Sequence, residues 1–262
     1  MVTVRIITWN VNSIRARESR LEALLHRWAP DIVCLQETKI DDDRLPRAAV
    51  EALGYDLATF GQGPYNGVAI LARTELSGVE RGFAGDPVPS EPRVLSATAG
   101  GLHLVNLYAV NGKAVGDPAY VTKLAWFDAL SAWLRSTFDP TQPLLVLGDF
   151  NVAPEDEDVH DPETWQGENL ASEPERERVR DLLTWGLIDV LRQHADGPGP
   201  FTWWDYRAGA FHRGWGLRLD LALATPPVAA RCTAVHIDRD ERKPSTGEGK
   251  PSDHAPLIID LD

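Results

Sequence analysis

One apolar run in the middle of the chain ends directly on polar residues. Residues 144–147 are all leucine or valine, and Gly148 follows them. Asp149 and Asn151 come next, separated by one phenylalanine. The run is too short for a helix, but it has the length of a buried strand and is flanked by turn-forming residues. The sequence therefore predicts a central strand that delivers a carboxylate and an amide to one edge of a sheet.

Two interpretations of Asp149 and Asn151 are open at this point. If extended geometry continues past the strand, the two side chains face the same way because they are two residues apart. A carboxylate that accepts a proton, beside an amide that donates and accepts, suits the activation of water next to an anionic group. In a loop, the same residue types commonly bond to their own backbone instead. Other segments have to decide between the two.

The composition restricts the class of protein. Hydrophobic residues make up 43% and charged residues 25% of the 262 positions, which is typical of a folded protein and not of a disordered or fibrous one. No apolar stretch reaches the roughly 20 residues that span a bilayer, and the N-terminus lacks a signal-peptide pattern. A cytoplasmic protein without a membrane contact is expected. Cys34 and Cys232 both lie in apolar segments, which predicts buried free thiols rather than a disulfide.

The net charge bears on whether the chain binds nucleic acid. A formal net charge of −13 argues against nonspecific electrostatic capture of DNA or RNA, which normally requires a basic surface. The acids are concentrated, with five among residues 155–161 and three at residues 41–43. A bound divalent cation neutralises part of such an excess. The charge is therefore a caution against nucleic-acid binding and not an exclusion.

Strand and helix signals alternate along the whole chain. Strands are predicted at residues 2–9, 31–35, 67–71, 94–99, 102–110, 144–147, 201–204, 218–224, 232–237 and 257–261. Helices are predicted at residues 21–28, 45–53 and 118–138, and after a capping box at Ser172 and Glu175. No linker or low-complexity segment divides the chain, so a single domain over residues 1–262 is expected. The pattern predicts a layered α/β protein with helices outside sheets.

Polar groups of complementary type follow several of these strands. They are Asn10, Asn12, Glu37, Asp220, Asp253 and His254. The carboxylate of Asp220 interrupts a run of leucines, where it must find a donor or a metal. Each group also has an ordinary explanation: Glu37 can pair with Lys39 on the surface, and His254 can be a structural histidine. Tyr108 and Trp203 can likewise be packing residues.

In combination, four of these segments resemble the motifs of a known superfamily. They are Thr-Trp-Asn-Val-Asn at residues 8–12, Leu-Gln-Glu-Thr-Lys at 35–39, Leu-Gly-Asp-Phe-Asn at 147–151 and Ser-Asp-His-Ala-Pro at 252–256. Together they resemble the endonuclease/exonuclease/phosphatase superfamily. Residues 36–39, 203–207 and 217–220 are similar to the exonuclease III family of abasic-site DNA repair nucleases, and less similar to the phosphoinositide branch. The likeness extends from the first predicted strand to the last.

The resemblance implies a fold and an activity. The implied fold is the DNase I-like four-layer α/β sandwich, in which two mixed β-sheets pack face to face with helices outside. The implied enzyme is a Mg²⁺-dependent phosphodiesterase, with Mn²⁺ as a substitute. It would cleave 5′ to abasic sites and would act as a 3′-5′ exonuclease and 3′-end-cleaning enzyme. The expected partner is double-stranded DNA with abasic sites or blocked 3′ ends, and the expected state is a monomer.

The resemblance also implies roles for the catalytic residues. Asp149 would take a proton from the attacking water, and Asn151 would hold that water or a phosphate oxygen. His254, oriented by Asp220, would stabilise the negative charge that develops on the phosphate. Tyr108 would contact the phosphate or the leaving group.

Metal and substrate contacts are implied in the same way. Glu37 would be the principal Mg²⁺ ligand, with Asn10 and Asp253 on the metal side. Trp203, Leu217 and Leu219 would form an apolar pocket for a sugar that lacks its base, since such a nucleotide costs less to extrude. The other implied substrate contacts are Asn12, Asn111, Arg93, Lys123, Arg207 and Lys250.

Two departures from the family pattern and two rival functions qualify these expectations. The acidic charge is one departure, and it predicts weak, salt-sensitive DNA binding unless basic residues gather on one face. Val110 stands where the family usually has proline, so the loop that presents Tyr108 and Asn111 is less restricted. The nearest rival is another phosphoesterase of the superfamily, acting on RNA, a nucleotide or a phospholipid head group. A noncatalytic DNA-binding module on the same scaffold is the other, and the full set of catalytic residue types argues against it.

Overall fold

The computed structural model describes residues 3–262, whose strands form two six-stranded sheets. The strands are β1 Val4–Asn10, β2 Ile32–Gln36, β3 Asp56–Gln62, β4 Tyr65–Ala72, β5 Leu76–Arg81, β6 Val94–Ala99, β7 Leu102–Tyr108, β8 Leu144–Asp149, β9 Ile188–Asp189, β10 Asp220–Ala224, β11 Cys232–Ile237 and β12 Leu257–Leu261. The helices are α1 Glu18–Trp28, α2 Arg47–Ala52, α3 Pro118–Thr137, α4 Pro162–Trp165, α5 Glu173–Trp185, α6 Ala210–Arg213 and α7 Pro226–Ala229.

Both sheets are mixed and are built on a similar plan. The first has the strand order β11-β12-β1-β2-β4-β3, and the second has the order β5-β6-β7-β8-β10-β9. Near the centre of each sheet lies one parallel pair, β1 with β2 and β7 with β8, while the flanking pairs are antiparallel. The carboxyl ends of the two strands in a parallel pair lie at the same edge of the sheet. Each sheet therefore delivers two strand ends, with the residues that follow them, to one edge.

Apolar side chains fill the space between the sheets and the space beneath the helices. Residues from both sheets, such as Ile6 on β1 and Leu147 on β8, share one buried cluster between the layers. Helices α3 and α5 cover the outer face of the second sheet through a cluster that includes Trp126 and Val179. Helix α1 covers the outer face of the first sheet, where Leu24 is fully buried. The predicted four-layer sandwich is confirmed.

A buried polar network crosses from one sheet to the other below the strand ends. Gln36 on β2 donates from Nε2 to Oδ1 of Asn106 on β7 over 2.7 Å and to Oγ1 of Thr8 over 2.8 Å. Asn106 donates from Nδ2 to the carbonyl oxygens of Leu35 and Ala69 in the first sheet, over 3.0 and 2.9 Å. A buried polar group left without a partner costs about 1–3 kcal/mol, so a slip of one sheet against the other is disfavoured.

The structure differs from the sequence prediction in several elements. Residues 201–204, predicted as a strand, form only isolated bridges at Trp203. Strands β3, β5 and β9 were not predicted; β5 is largely exposed and β9 has only two residues, so neither carries a buried apolar pattern. The predicted capping box at Ser172 and Glu175 is present at the start of α5. The first predicted strand included Val2, which lies outside the described residues.

Two simpler features complete the description. Over residues 3–262, no helix combines the length and apolar character that crossing a membrane requires. Cys34 and Cys232 are both free thiols, the first fully buried and the second half-buried.

Gly148 has a conformation and surroundings that exclude a side chain. Its φ is +136°, and an added Cβ would overlap the carbonyl oxygen of Leu107 on the neighbouring strand β7. We expect Gly148→Ala to lower the free energy of unfolding by at least about 3 kcal/mol, because backbone strain and a clash with a rigid strand add up. Denaturant unfolding followed by tryptophan fluorescence measures the loss.

A matched control separates the clash from the backbone strain. Gly100 also has a positive φ, +55°, but nothing lies within 4 Å of the position that its Cβ would take. Gly100→Ala is expected to cost about 1–2 kcal/mol, from strain alone. Equal losses for the two variants would contradict the packing argument.

Candidate active site

Three titratable side chains of the second sheet lie in one row, at the edge where the parallel strands β7 and β8 end and β10 begins. The register of β7 with β8 pairs Tyr108 with Asp149, and the register of β10 with β8 pairs Asp220 with Asp149. Asp149 and Asp220 lie two residues from Leu147 and Ala222, which face the other sheet, so both acids face inward. Neighbouring strands are about 4.8 Å apart, which brings the three groups into mutual reach.

The first sheet adds an amide and a third acid. Asn10, the last residue of β1, donates from Nδ2 to Oε1 of Glu37 and to Oδ2 of Asp149, both over 2.8 Å. Glu37 directly follows β2 and has a left-handed backbone with φ of +52°. Such a conformation costs a non-glycine residue about 1–3 kcal/mol and is concentrated at functional sites. One amide thus joins carboxylates from both sheets.

The chain turns immediately after β8, so extended geometry does not continue to Asn151. Its φ is +51°, and its backbone N–H donates to Oδ1 of Asp149 over 2.8 Å. The turn interpretation is therefore right for one oxygen of Asp149, while Oδ2 faces Asn10. The Asn151 amide donates from Nδ2 to the Ala109 carbonyl oxygen over 2.9 Å and accepts from Nδ2 of Asn111 over 3.0 Å. Activation of water by the other oxygen, Oδ2, stays a prediction.

The imidazole of His254 is held in one orientation. Nδ1 lies 2.8 Å from Oδ2 of Asp220, which leaves Nε2 toward the centre of the site, 3.7 Å from Oδ2 of Asp149. The backbone of the histidine is also fixed: Trp9 donates to its carbonyl oxygen over 3.1 Å, and its N–H donates to Oγ of Ser252 over 3.2 Å. The position of the ring is thus set before any substrate binds.

Burial and neighbouring charges shift the pKa values of these groups. Burial opposes the charged imidazolium, but the carboxylates of Asp220 and Asp149 outweigh it and raise the pKa of His254. Burial, aided by the charge of Asp220 and opposed by that of His254, raises the pKa of Asp149. Burial, then the charges of Glu37 and Asp149, raise the pKa of Tyr108 well above its usual value, so its hydroxyl stays protonated. The site combines a proton acceptor with two hydrogen-bond donors.

The donor set fits a hard divalent cation. Among residues 3–262, Glu37, Asp149 and His254 form a group whose potential ligand atoms lie within 4.8 Å of one another. Mg²⁺ prefers oxygen ligands, so the two carboxylates suit it, whereas the imidazole is engaged with Asp220. The site already attracts a cation, because the ammonium of Lys39 lies 2.7 Å from Oε2 of Glu37.

Asn10 and Asp253, expected on the metal side, make other contacts. Asn10 turns its NH₂ group toward the carboxylates, and its Oδ1 accepts from the backbone N–H of Asn12 over 2.9 Å. Asp253 accepts from Nδ2 of Asn12 over 2.9 Å and from Nε1 of Trp203 over 3.2 Å. Asp253 lies outside the group of Glu37, Asp149 and His254. Ligation of the metal by Asn10 and Asp253 stays a prediction.

The predicted phosphate contact from Lys123 is wrong. Its side chain is fully buried, and its ammonium bonds to the carboxylate of Glu175. The same ammonium donates to the carbonyl oxygens of Asn151 over 2.6 Å and of Asn111 over 3.1 Å. Helix α3 places this lysine beneath the loops, so it holds two site loops together and does not reach the surface.

Arg93 also lies behind the site rather than at its surface. It is 8% exposed and donates to the carbonyl oxygens of Tyr108 and Ala109 over 3.2 and 3.3 Å. Its guanidinium lies 4.9 Å from the ring centroid of Tyr108 and bonds to Glu91 over 2.6 Å. In this structure Arg93 supports Tyr108. Its side chain is buried, so it is not open to the phosphate contact that was expected of it.

Three further residues expected at the substrate lie on the surface, whereas Asn12 is half-buried and its amide bonds to Asp253 and Lys39. Asn111 is exposed, and Val110 before it packs into the outer apolar cluster of the second sheet, which restrains the loop without a proline. The side chain of Arg207 is 90% exposed, with only Asp205 at 3.7 Å. Lys250 is exposed beside the ring of Tyr206, at 4.1 Å from its centroid. Contacts of these side chains with DNA stay predictions.

The predicted apolar pocket lies beside His254 but is covered. Isolated backbone bridges join Trp203 to His254 and to Leu217. Leu217 and Leu219 are 0% and 1% exposed, in a cluster completed by Leu170 among others. Their side chains present no open surface in this structure, whereas Trp203 is partly exposed.

Sequence reasoning gave no role to Arg17, which links three segments around the site. It is 6% exposed and donates to the Asn12 carbonyl oxygen over 2.7 Å and to the Pro251 carbonyl oxygen over 3.1 Å. It also donates to the hydroxyl of Tyr206 over 2.7 Å. Strand and helix patterns gave no signal for this role, because Tyr206 and Pro251 are 189 and 234 residues away in the sequence.

Part of the acidic run is internal and does not contribute surface charge. Asp158 is fully buried and accepts two hydrogen bonds from Arg218, over 2.6 and 3.0 Å, and another from Arg192. Although burial opposes ionisation, these two arginines lower the pKa of Asp158. The run from residue 155 is thus less repulsive to DNA than its composition indicates.

The layered fold and the carboxylate, amide and imidazole groups at its edge define a phosphoester-hydrolysing enzyme of the DNase I-like class. The model of the endonuclease/exonuclease/phosphatase family matches residues 7–254, and the chain belongs to this family. It is 32% identical to exodeoxyribonuclease III of Haemophilus influenzae, over 97% of this chain and 98% of that protein.

Solved structures of two relatives are similar over nearly the whole chain. A structure of the 3′ phosphatase NExo from Neisseria, bound to a product DNA hairpin, has a TM-score of 0.93 and 40% identity, covering 99% of each chain. An AP endonuclease from Archaeoglobus fulgidus has a TM-score of 0.92 and 37% identity, also covering 99% of each chain.

The bond between Asp220 and His254 predicts the effect of removing one charge. Asp220→Asn is expected to lower turnover by about 10²–10⁴-fold, because a neutral amide no longer stabilises the imidazolium. The pKa of His254 should fall, which ¹⁵N NMR of the ring measures. Asp260→Asn is the matched control, since Asp260 is also a strand carboxylate but pairs with Arg5, 2.8 Å away, at the start of β1. Unchanged turnover in Asp220→Asn would refute the orienting role.

Proposed function

We propose that the chain is a Mg²⁺-dependent phosphodiesterase that hydrolyses double-stranded DNA 5′ to abasic sites and removes nucleotides or blocking groups from 3′ ends. The observation that carries the proposal is the pair of carboxylates, Glu37 and Asp149, which Asn10 joins across the two sheets opposite His254. The similar AP endonuclease and the DNA-bound 3′ phosphatase support DNA as the substrate.

The two carboxylates take different roles in the proposed reaction. The side chain of Glu37 is 15% exposed and that of Asp149 is 1% exposed, so Glu37 is the accessible metal ligand. A bound divalent cation supplies positive charge that neutralises the phosphate. Asp149, with its raised pKa, accepts the proton of the attacking water through Oδ2. Its Oδ1 stays bonded to the backbone and keeps the carboxylate in place.

Two donors stabilise the charge that develops on the phosphate. Nε2 of His254 points into the site while Asp220 holds Nδ1. Preorganised donors of this kind act on the transition state without reorganisation. The protonated hydroxyl of Tyr108 is the second donor, placed next to Asp149 by the strand register. Asn151, held by Ala109 and Asn111, fixes the loop that faces the substrate.

The same geometry supports a single catalytic unit. Residues from the first and last strands of the chain meet in one site, so we propose that residues 1–262 act as one domain and as a monomer. Oxygen ligands of this kind also accept Mn²⁺, which is the proposed substitute for Mg²⁺.

A duplex with a central abasic analogue tests the assignment of metal and base. The wild type is expected to incise it only when Mg²⁺ is present. Asp149→Asn should reduce incision by at least about 10²–10⁴-fold, because no base takes the proton from water. Its affinity for the same duplex, measured by fluorescence anisotropy, should stay close to that of the wild type.

Three outcomes would contradict this assignment. Incision by Asp149→Asn at near wild-type rate would remove the proposed base, and incision without metal would remove the cofactor. Hydrolysis of RNA, a nucleotide or a phospholipid head group in place of DNA would favour the rival phosphoesterase.

The covered pocket favours 3′-end processing as the more readily performed part of this function. An extruded abasic sugar needs the surface of Leu217 and Leu219, and both are buried. Leu170 belongs to the same apolar cluster and has a left-handed backbone with φ of +78°, a conformation that suits glycine better. Entry of a sugar therefore requires displacement of packed side chains, whereas a terminal 3′ phosphate does not require the pocket.

Leu170→Gly is expected to uncover the pocket and relieve the strain at once. Incision at an abasic site should rise relative to removal of a 3′ phosphate by roughly tenfold, the factor that corresponds to about 1.4 kcal/mol. Ala29→Gly is the matched control, because Ala29 has a left-handed φ of +44° at the end of α1, outside this cluster. An unchanged ratio of the two activities in Leu170→Gly would show that Leu170 does not control access.

A further inference from the structure

Three aromatic residues outside the proposed reaction form a group, here termed the aromatic platform. The rings of His160 and Trp215 are stacked, with centroids 6.0 Å apart and planes at 21°. Trp165 meets the edge of His160 at 6.5 Å and 77°. Trp215 is 41% exposed, and the guanidinium of Arg213 lies 4.5 Å from its ring centroid. The group therefore places a partly exposed indole on the surface beside two further rings.

The platform is continuous with the active site. Backbone bridges connect His254 to Trp203, Trp203 to Leu217, and Leu217 to Val159, the residue before His160. Three steps of about 4.8 Å each put the backbone of Val159, next to the platform, about 14 Å from that of His254. Stacked nucleotides rise about 3.4 Å each, so this distance corresponds to roughly four nucleotides. A DNA strand with its reacting phosphate at His254 therefore reaches the platform.

The chemistry of the adjoining cavity favours a base over a phosphate. The cavity has a volume of about 860 Å³, and its lining includes the acids Asp161 and Glu163 beside the three rings. Carboxylates repel a phosphate but accept hydrogen bonds from a neutral base. The exocyclic amino groups of adenine, guanine and cytosine supply such donors.

We propose that the aromatic platform stacks an unpaired nucleobase of the DNA substrate, roughly four nucleotides from the reacting phosphate. This inference rests on the proposed function and specifies a substrate class: duplexes with a single-stranded extension. The base must be unpaired, because a base within a duplex is held between its neighbours. Stacking of this kind tolerates any sequence, since every base has a π-face. Arg213, which lies over the Trp215 ring, would be displaced by the base and would then contact the adjacent phosphate.

The test measures binding in an Asp149→Asn background, so that hydrolysis does not interfere. Fluorescence anisotropy gives Kd for a blunt duplex and for the same duplex with a four-nucleotide extension at its 3′ or its 5′ end. One extended duplex is expected to bind roughly tenfold more tightly than the blunt one, and Trp215→Ala should remove this preference. Trp215→Phe, which keeps an aromatic face, should retain most of it.

Trp185→Ala serves as the matched control. Trp185 also has an arginine over its ring, Arg135 at 6.0 Å. Trp185 is the last residue of α5, and the next residue, Gly186, lies against Pro140. Pro140 comes shortly before β8 begins, whereas Asp149 ends that strand, so Trp185 lies at the end of the sheet opposite the active site. This variant should keep the full preference for the extended duplex.

The outcomes separate the platform from the proposed function. If no extension strengthens binding, or if the preference survives in Trp215→Ala, the platform does not bind a base. If the preference depends on Trp215 but the wild type hydrolyses no DNA, the platform stands and the proposed activity fails. Hydrolysis of DNA by the wild type together with an unchanged preference in Trp215→Ala overturns the platform alone.

Discussion

The hydrogen bonds of one amide hold the two halves of the site together. Asn10 extends from the first sheet and donates to Glu37 on its own sheet and to Asp149 on the other. Without a donor between them, two carboxylates this close would repel each other. The bridge therefore requires that the two sheets keep one relative position, which the buried bond between Gln36 and Asn106 below the site secures. The relative position of the two sheets, fixed within the core, thus sets the positions of the site residues at the sheet edge.

Buried charge is balanced locally throughout the region. Asp220 and Asp149 share the imidazolium of His254, and Lys123 is buried together with Glu175 beneath the loops. Removing one partner of such a pair leaves an uncompensated charge, at a cost of about 3–5 kcal/mol. The packing and the chemistry consequently depend on the same pairs, and substitutions at these positions change stability as well as activity.

The positions of the central strands, and the polar residues at their ends, could be predicted from the sequence. The run before Gly148 and the leucine alternation around Asp220 correctly indicated strands that end or begin at the site. The depth of each side chain was not predictable, because it depends on elements distant in sequence. Lys123 follows a helix signal like any surface lysine, but the loop of Asn151 and the capping residue Glu175 enclose it. Burial of the pocket leucines has the same cause.

An acidic protein that acts on DNA must gain affinity from few cations. Of the four basic residues expected at phosphates, Lys123 and Arg93 are committed to the protein interior, which leaves Arg207 and Lys250. Each neutralised phosphate adds about 0.9 to the dependence of log K on log salt, so few contacts mean a weak electrostatic term. Base stacking contributes about 1–3 kcal/mol for each base and requires no positive charge. A base stacked on the partly exposed Trp215, as proposed above, would add affinity of this kind.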